Sequence, residues 1–421
     1  MALGMLRRTG AFAVTGLLLT AAWSPAVSGS AAQQTGSALE SDVRALASDE
    51  MEGRAPGTAG STRAQDYIID RLDDFAVGLD QSSTGVDAFR QEFAQGVNIL
   101  ALIPGDELPD EYVMLGAHYD HLGTSCATED PNDTICNGAT DNATGVAAVL
   151  SIGERIAQEG DPDRSVILAL WDAEEIGLLG SRFYVDNPVV PLEQTVSYVN
   201  FDIQGAEILP SLAATTFAIG AETGGDRLAS AVQAAVQGSP LDTHHLSWIF
   251  GQGRSDYFNF IQAEVPTVFF SDSTGPCYHT AQDDVRIVNF DKLGHQVDNA
   301  HRLTRDLVDG DAVPGFVGST PTATYEDAVE LRATADRALA DVDLFTPEQQ
   351  DRLLAFDRAL EEIVAAGPAA FGEDDVATIL AGAANAVDLF TRRDCLEDAA
   401  PAPDAEPEPA AAMVAEPAFT G

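Results

Sequence analysis

The stretch YVMLGAHYD, residues 112–120, is an apolar run that ends on two polar residues, His118 and Asp120. A short apolar run of this kind is typical of a β-strand that is buried on both faces. In parallel α/β sheets, ligand sites lie beyond the carboxyl ends of the strands. The stretch therefore predicts a buried strand with a candidate site at its carboxyl end.

Further runs of the same kind flank this stretch on both sides, and several of them also end on an acidic residue. They are NILALIP (98–104), SVILALWD (165–172), TVSYVNFD (195–202), TTFAIGA (215–221) and PTVFFSD (266–272). Helical patterns lie between them, as in residues 143–160 and 224–238. This alternation predicts an α/β domain over residues 37–312, with a mixed, mostly parallel sheet between two layers of helices.

Histidine and acidic side chains gather at the predicted strand ends, namely His118, Glu174, Glu175 and Asp202. A further acid, Asp141, lies in the tight stretch GATDNATG just before a helical pattern. Imidazole nitrogen and carboxylate oxygen are zinc ligands, and one carboxylate can bridge two metal ions. The pattern predicts a zinc site, although Asp141 alone would equally suit a helix N-cap.

Two local spacings add a mechanism to this cluster. Asp120 follows His118 by two residues, where its carboxylate can accept the second N–H of the imidazole and fix the tautomer. In WDAEE, the adjacent Glu174 and Glu175 can have different roles, because one can bind metal while the other acts as a general base. An apolar strand directly before them argues against a merely solvated acidic pair.

The motifs resemble those of the secreted dizinc aminopeptidases, metallopeptidase family twenty-eight, over roughly residues 40 to 310. The residues that carry the resemblance occur in the family's order: EGRAPGTAGSTRAQDYI, GAHYDHLG, GATDNATGVA, WDAEEIGLLGS, VNFDIQG, GRSDYFNF and CYHT. The resemblance implies the zinc exopeptidase fold and two Zn²⁺ per chain. The implied ligands are His118, Asp141 as the bridging carboxylate, Glu175, Asp202 and His279.

The resemblance also implies roles for residues around the metals. Glu174 would be the general base and acid, and Asp120 would orient His118. Tyr278 is placed like the tyrosine that donates to the oxyanion in some members, and Arg254 and Asp256 would lie on the substrate side. The bond between Asp141 and Asn142 is expected to be cis, as in relatives. His121, His244, His245 and His295 are expected to be structural or surface residues, with His244 or His245 as possible lining of the substrate cleft.

The function expected from these residues is an exported zinc aminopeptidase that hydrolyses the N-terminal residues of peptides. Two alternatives stay open on the same scaffold, a carboxypeptidase and a glutaminyl cyclase. A non-catalytic binding module is a third alternative, but such relatives lose metal ligands and this chain keeps the full set.

The two ends of the chain differ in composition from the predicted domain. Residues 1–31 resemble a signal peptide, with Arg7 and Arg8 before a short apolar segment and no cysteine for a lipid anchor. Residues 323–393 predict a helical appendage, in which Thr346 and Pro347 begin a helix. Residues 396–421 form an acidic Pro/Ala-rich tail that is expected to be disordered. We therefore expect no stable membrane anchor, and a periplasmic or extracellular location.

Four cysteines are consistent with an oxidising compartment. Cys126 and Cys136 can form a disulfide bond across the loop between them, whereas Cys277 and Cys395 can pair or stay free. The charge is strongly acidic, with 67 Asp and Glu against 22 Lys and Arg, of which only Lys292 is a lysine. This balance excludes nucleic acid as a partner. It fits either adaptation to high salt or a genome that favours arginine codons.

Overall fold

The structure, a computed structural model, describes residues 38–124, 126, 132–318, 322–393 and 395. Within these residues, a mixed sheet of nine strands forms the centre of the fold. The strands run in the order β1-β3-β5-β4-β6-β9-β7-β8, and β2 pairs with β3. They span Val77–Gly78 (β1), Arg90–Glu92 (β2), Val97–Ile103 (β3), Leu108–His118 (β4), Arg164–Trp171 (β5), Thr195–Phe201 (β6), Thr215–Ile219 (β7), Asp242–Leu246 (β8) and Thr267–Ser271 (β9).

The centre of the sheet is parallel and its two sides are mixed. β4 pairs in parallel with β5 and with β6, and β6 pairs in parallel with β9. β3 and β7 join this centre in antiparallel orientation. The predicted fold class is confirmed, since all six predicted strands are present in a mostly parallel sheet. The short strands β1, β2 and β8 were not predicted.

Helices cover both faces of the sheet, and short 3₁₀ turns connect many of the elements. Within the described residues, no helix combines the length and the apolar composition that a membrane span requires. The helices span 38–46 (α1), Ala59–Asp73 (α2), Thr144–Glu159 (α3), Leu179–Asp186 (α4), Gly225–Val236 (α5), Tyr257–Gln262 (α6), Phe290–Asp309 (α7), Tyr325–Ala338 (α8), Pro347–Ala366 (α9) and Glu373–Thr391 (α10).

Strand β4 is buried on both faces, as its sequence predicts. Val113, Leu115 and Ala117 face a core that includes side chains of α2, α3, α5 and α7. Tyr112 and Met114 face the opposite core, to which α4 and α6 contribute. Because successive side chains of a strand point to opposite faces, an uninterrupted apolar run is needed to fill both cores.

Helices α8, α9 and α10 occupy the segment for which a helical appendage was predicted. Thr346 caps α9, with its side chain accepting from the Gln349 amide, and Pro347 is the first helical residue. α8 packs against β8 and α9, and apolar residues of all three helices join the core on the β7–β8 side. The predicted signal peptide, 1–31, and the predicted tail, 396–421, lie outside the described residues.

Two disulfide bonds cross-link the chain. Cys126 pairs with Cys136, as the loop between them suggested, and Cys277 pairs with Cys395. The second bond ties the end of the helical segment to the peptide just before His279, which is a predicted metal ligand. Both bonds are consistent with an oxidising compartment.

Candidate metal centre

The carboxyl ends of three parallel strands bring the predicted ligands to one edge of the sheet. His118 is the last residue of β4 and lies beside Trp171, the last residue of β5. Glu174 and Glu175 follow β5 closely, and Asp202 follows β6 directly. All of these side chains except that of Glu175 are almost completely buried, and Glu175 is partly buried.

Asp141 lies between two histidines. Its Oδ1 is 3.3 Å from Nε2 of His118, and its Oδ2 is 3.2 Å from Nε2 of His279. The bond from Asp141 to Asn142 is cis, as the resemblance implies. Two carboxylate oxygens that face different histidines are what a ligand shared by two metal ions requires.

Close approach of two elements positions this carboxylate beside Asp202. Gly145, the second residue of α3, lies against the end of β6, and a Cβ at this position would lie 2.7 Å from the carbonyl oxygen of Phe201 and 2.2 Å from Oδ1 of Asn142. Any larger residue would push α3 away from β6. The glycine in the stretch GATDNATG therefore keeps the two acids together.

The ligand atoms group into sets small enough for a metal ion. The atoms of His118, Asp141 and Asp202 lie within 4.8 Å of one another, and so do those of His121, Asp141 and Glu175. Oδ1 of Asp202 is 3.4 Å from Nε2 of His118. These nitrogen and oxygen donors fit zinc.

Charge balance also calls for cations at this place. The cluster contains four carboxylates, those of Asp141, Glu174, Glu175 and Asp202, and the ion pairs that they make among the described residues involve histidines alone. Buried carboxylates at such short range repel one another unless positive charge lies between them. Metal ions bound here would supply that charge.

Glu175 is held by two histidines. Its Oε1 is 2.6 Å from Nδ1 of His121, and its Oε2 is 3.1 Å from Nε2 of His279. Burial alone would raise the pKa of Glu175, but these hydrogen bonds leave it below its usual value. His279 has a positive φ of 59°, an uncommon conformation for a non-glycine residue that points to a functional constraint.

Glu174 has different surroundings from its neighbour. It faces the cavity over the cluster, and burial raises its pKa well above the usual value, with Asp202 and Asp256 acting in the same direction and His118 in the opposite one. No described hydrogen bond or ion pair engages its carboxylate. A buried, unpaired carboxylate of raised pKa is suited to accept and return a proton.

Asp120 contacts the site mainly through the backbone of the two glutamates. Its carboxylate accepts from the Glu174 amide at 3.0 Å and from the Glu175 amide at 3.3 Å. Nδ1 of His118 is 3.2 Å from the Asp120 carbonyl oxygen and 3.6 Å from Oδ1 of its side chain. Asp120 thus links the His118 strand to the peptide that carries both glutamates.

Three residues of the site were not identified from the sequence. His121, expected to be structural or a surface residue, is buried and contacts Glu175. Asp283 accepts hydrogen bonds from Thr140 and from the Asp141 amide, at 2.8 to 3.0 Å. Both residues support a predicted ligand rather than stand apart from the cluster.

Arg54 is the third of these residues. It is fully buried, and its guanidinium donates to four backbone carbonyls, those of Leu46, Tyr119, Asn137 and Gly138. Burial lowers its pKa to about 10, in spite of nearby acids such as Asp283. Because the carbonyls of Tyr119, Asn137 and Gly138 belong to segments next to His118 and Asp141, Arg54 fixes the loops that present both predicted ligands.

A cavity of about 70 Å³ opens over the cluster. Tyr278 and Arg254 line it, and the Arg254 guanidinium lies 5.4 Å from the centre of the Tyr278 ring. The Tyr278 ring in turn stacks on His279. Asp256, predicted on the substrate side, is fully buried at the start of α6 and accepts from Ser181, so it does not line the cavity.

Comparison with known proteins places this site in a family. Residues 98–304 match the model of Peptidase family M28. The leupeptin-inactivating enzyme 1 of Streptomyces exfoliatus is 33% identical over 168 residues, which are 39% of this chain and 34% of that protein. The probable glutamate carboxypeptidase LAMP1 of Arabidopsis thaliana is 31% identical over 206 residues, which are 44% of this chain and 27% of that protein. The matches thus span about a third or less of these relatives.

Solved structures share the fold at lower identity. A glutaminyl cyclase and a leucine aminopeptidase precursor, both from Bacteroides thetaiotaomicron, each have a TM-score of 0.52 and 18% identity. Each covers 66% of this chain, and the matches take in 98% and 97% of those chains. The expected resemblance to Peptidase family M28 is confirmed over residues 98–304, the part of the chain that the family model matches.

Proposed function

We propose that this chain is an exported zinc-dependent aminopeptidase that hydrolyses the N-terminal residues of peptides. The observation that carries the proposal is the Asp141 carboxylate, whose two oxygens face His118 and His279 separately. This arrangement supports two Zn²⁺ per chain. Asp141 would be shared, with His118 and Asp202 on one side and Glu175 and His279 on the other.

The residues of the cavity would carry the proton transfers of peptide hydrolysis. Zinc, when bound, would polarise the scissile carbonyl and lower the pKa of water. Glu174 is free to accept the proton of the attacking water and to return it to the leaving amine. Tyr278 lines the same cavity, where its hydroxyl would donate to the oxygen on which charge develops. Asp120 would keep Glu174 in place through the backbone.

The oxygen acceptors of the cleft favour substrates with a free amino terminus. Acidic side chains are the main polar groups of the cavity, and Arg254 is the one arginine or lysine that lines the described cavity. Two Zn²⁺ would balance the four carboxylates in charge, so a free amino group would be oriented by hydrogen bonds to their oxygens rather than by net charge. Two disulfides, together with the predicted signal peptide, support a periplasmic or extracellular location.

Arg254 favours a second candidate function, that of a carboxypeptidase. No described carboxylate forms an ion pair with its guanidinium, which lies over the Tyr278 ring at the cavity wall. A free guanidinium at this position could bind the terminal carboxylate of a peptide in bidentate geometry. One of the relatives bears the name of a probable glutamate carboxypeptidase.

A panel of substrates distinguishes these functions. The zinc-loaded full chain is assayed on aminoacyl anilides, on the same compounds with an acetylated amine, and on peptides with a blocked N-terminus and a free carboxylate. Peptides with an N-terminal glutamine test for a cyclase by release of ammonia. We expect cleavage of the free aminoacyl anilides and loss of that activity in Asp141→Asn. Cleavage restricted to the blocked peptides, or cyclisation alone, would overturn the proposal.

A further inference from the structure

His121 is a buried histidine three residues after His118, and the proposed set of five metal ligands does not include it. Its side chain is fully buried, and its Nδ1 lies 2.6 Å from Oε1 of Glu175. The ligand atoms of His121, Asp141 and Glu175 are also close enough together to hold a metal ion. The residue is therefore either a sixth metal ligand or a group that holds one of the five.

The distances between donor atoms decide between these two roles. Two ligands of one tetrahedral zinc ion lie about 3.3 Å apart, since zinc binds nitrogen and oxygen at about 2.0–2.1 Å. Nε2 of His279 lies 3.2 Å from Oδ2 of Asp141 and 3.1 Å from Oε2 of Glu175, which is close to this spacing. The 2.6 Å contact of His121 with Glu175 is too short for two ligands of one ion, and it is that of a short hydrogen bond to a carboxylate.

This hydrogen bond leaves one oxygen of Glu175 for metal. Nδ1 of His121 carries the proton, because an ionised carboxylate can only accept a hydrogen bond. Oε1 of Glu175 is thus engaged by the imidazole, whereas Oε2 faces His279. Nε2 of His121 makes no hydrogen bond within the described residues, so the polar contact of this ring is directed to Glu175.

The ring of His121 is fixed against the backbone of Gly138. A Cβ at position 138 would lie 2.5 Å from Cδ2 and 2.6 Å from Cγ of His121, so a larger residue would displace the ring. Gly138 has a positive φ of 56°, and its carbonyl oxygen accepts from Arg54. Because the ring packs on a backbone that is itself held in place, its Nδ1 is directed to one position of the Glu175 carboxylate.

We propose that His121 is a positioning residue, which holds Glu175 to its metal ion through a single oxygen and does not bind metal itself. The proposal rests on the two-zinc arrangement of the proposed function. In that arrangement Glu175 belongs to one metal position, whereas Asp141 is shared by both. Loss of the His121 hydrogen bond should therefore weaken one zinc position and leave the other intact.

Two variants separate the hydrogen bond from the shape of the side chain. His121→Phe keeps a ring and removes the donor, whereas His121→Asn places an N–H donor, Nδ2, close to the position of Nδ1. Chelator competition on the full chain measures the affinity of each zinc ion. We expect His121→Phe to weaken one zinc about 10–100-fold, the usual effect of losing a group that orients a ligand. His121→Asn should bind both zinc ions much as the wild type does.

Two control variants show whether the effect is selective. Asp283→Asn removes support from the shared Asp141 and should weaken both zinc positions. His295→Phe, at an exposed position of α7, should weaken neither.

The visible absorption of the cobalt-loaded chain reports on the ligands themselves. The wild type and His121→Asn should have the same spectrum, because His121 lies outside the ligand set. A spectrum that changes in His121→Asn would make His121 a metal ligand and overturn the inference.

Failure of this inference can be distinguished from failure of the proposed function, since none of these measurements requires hydrolysis of a peptide. If the wild type binds two zinc ions and His121→Phe keeps both affinities, loses both equally or matches His121→Asn, the inference is wrong. If the wild type binds a single zinc ion, the two-zinc arrangement is wrong. The inference then stands only if His121→Phe weakens that ion and His121→Asn does not.

Discussion

Glu174 and Glu175 are neighbours in the chain, yet their surroundings give them different chemistry. Glu175 makes a hydrogen bond with His121 and lies 3.1 Å from Nε2 of His279, and these contacts lower its pKa and keep it in the charged form that can bind metal. Glu174 faces the cavity without such a partner, and its pKa is raised. The first is thus suited to metal binding, and the second to proton transfer.

This division of roles predicts opposite results for two similar variants. Glu174→Gln should retain zinc and lose roughly 10²–10⁴-fold in kcat, the range typical of a positioned general base. Glu175→Gln, the matched variant, should lose zinc. Elemental analysis and steady-state kinetics on both proteins make the comparison. Equal metal content and equal kcat in the two variants would show that the assignment of roles is wrong.

Asp283 supports Asp141, the proposed bridging ligand, through hydrogen bonds. Its side chain accepts from the Asp141 amide and from Thr140, so it fixes the turn that presents Asp141. We expect Asp283→Asn to weaken zinc binding about 10–100-fold, the usual cost of losing a group that orients a ligand. Chelator competition measures this affinity. The control is Asp284→Asn, which changes the neighbouring residue, a partly buried partner of the exposed Arg286. The account is contradicted if both variants bind zinc like the wild type.

The proposed metal ligands could be predicted from the sequence because most of them follow recognisable strands. His118, Glu175 and Asp202 each come within a few residues of an apolar run, and the order of motifs identifies Asp141. Asp283 has no such signal, since it is 142 residues from Asp141 and only the folded chain brings the two together. His121 was missed because a histidine next to a ligand motif carries no sign of its own burial.

Some strands of the sheet could be predicted from the sequence, and others could not. β4, β5, β6 and β9 are central and buried, so their apolar runs are long enough to be recognised. β8 reads DTHHL and lies at the edge of the sheet, where only one neighbour and one covered face are needed. β1 and β2 have two and three residues. Such strands form because a neighbour is present, and their composition does not predict them.

A buried histidine joins β8 to the helical segment. Nε2 of His244 is 2.7 Å from Oδ2 of Asp242 on its own strand, and Nδ1 is 2.7 Å from Oε2 of Glu330 on α8. Arg337 of α8 also forms an ion pair with Asp242. His245 follows His244 directly in the chain. Burial lowers the pKa of His244, but the two carboxylates outweigh burial and raise it above the usual value. His244 does not line the cavity over the metal cluster.

A raised histidine pKa makes the attachment of α8 dependent on pH. The contribution of His244 to the free energy of unfolding is fully present below its unfolded pKa of about 6.5 and is lost as pH rises through the higher folded pKa. Urea unfolding of the wild type and of His244→Asn should therefore differ more at pH 6 than at pH 9. His295→Asn, at an exposed position of α7, is the control. A difference that is equal or larger at pH 9 would contradict the attachment described here.

The protein is unusual both in its acidic net charge and in having a single lysine. The formal net charge is −45 at pH 7. The only lysine, Lys292, is buried in an ion pair with Asp272 and donates to the Ala206 carbonyl. The cations on the described surface are therefore arginines and not lysines. Such a surface repels itself at low ionic strength, and salt screens that repulsion.

Adaptation to salt predicts a clear response. If the acidic surface is such an adaptation, the melting temperature and the activity should both rise as sodium chloride is added towards molar concentrations. Calorimetry and anilide hydrolysis over the same salt series measure this. A flat or falling response would assign the composition to codon usage instead.

The zinc content of the purified full chain tests the account most directly, because the fold, the ligand set and the proposed reaction all meet in the shared carboxylate of Asp141. Elemental analysis is performed on the wild type and on Asp141→Asn, with hydrolysis of aminoacyl anilides followed on the same samples. The account predicts two zinc ions per wild-type chain, and at most one, together with lost activity, in Asp141→Asn. One zinc ion per wild-type chain with full activity, or an unchanged zinc content in Asp141→Asn, would contradict it.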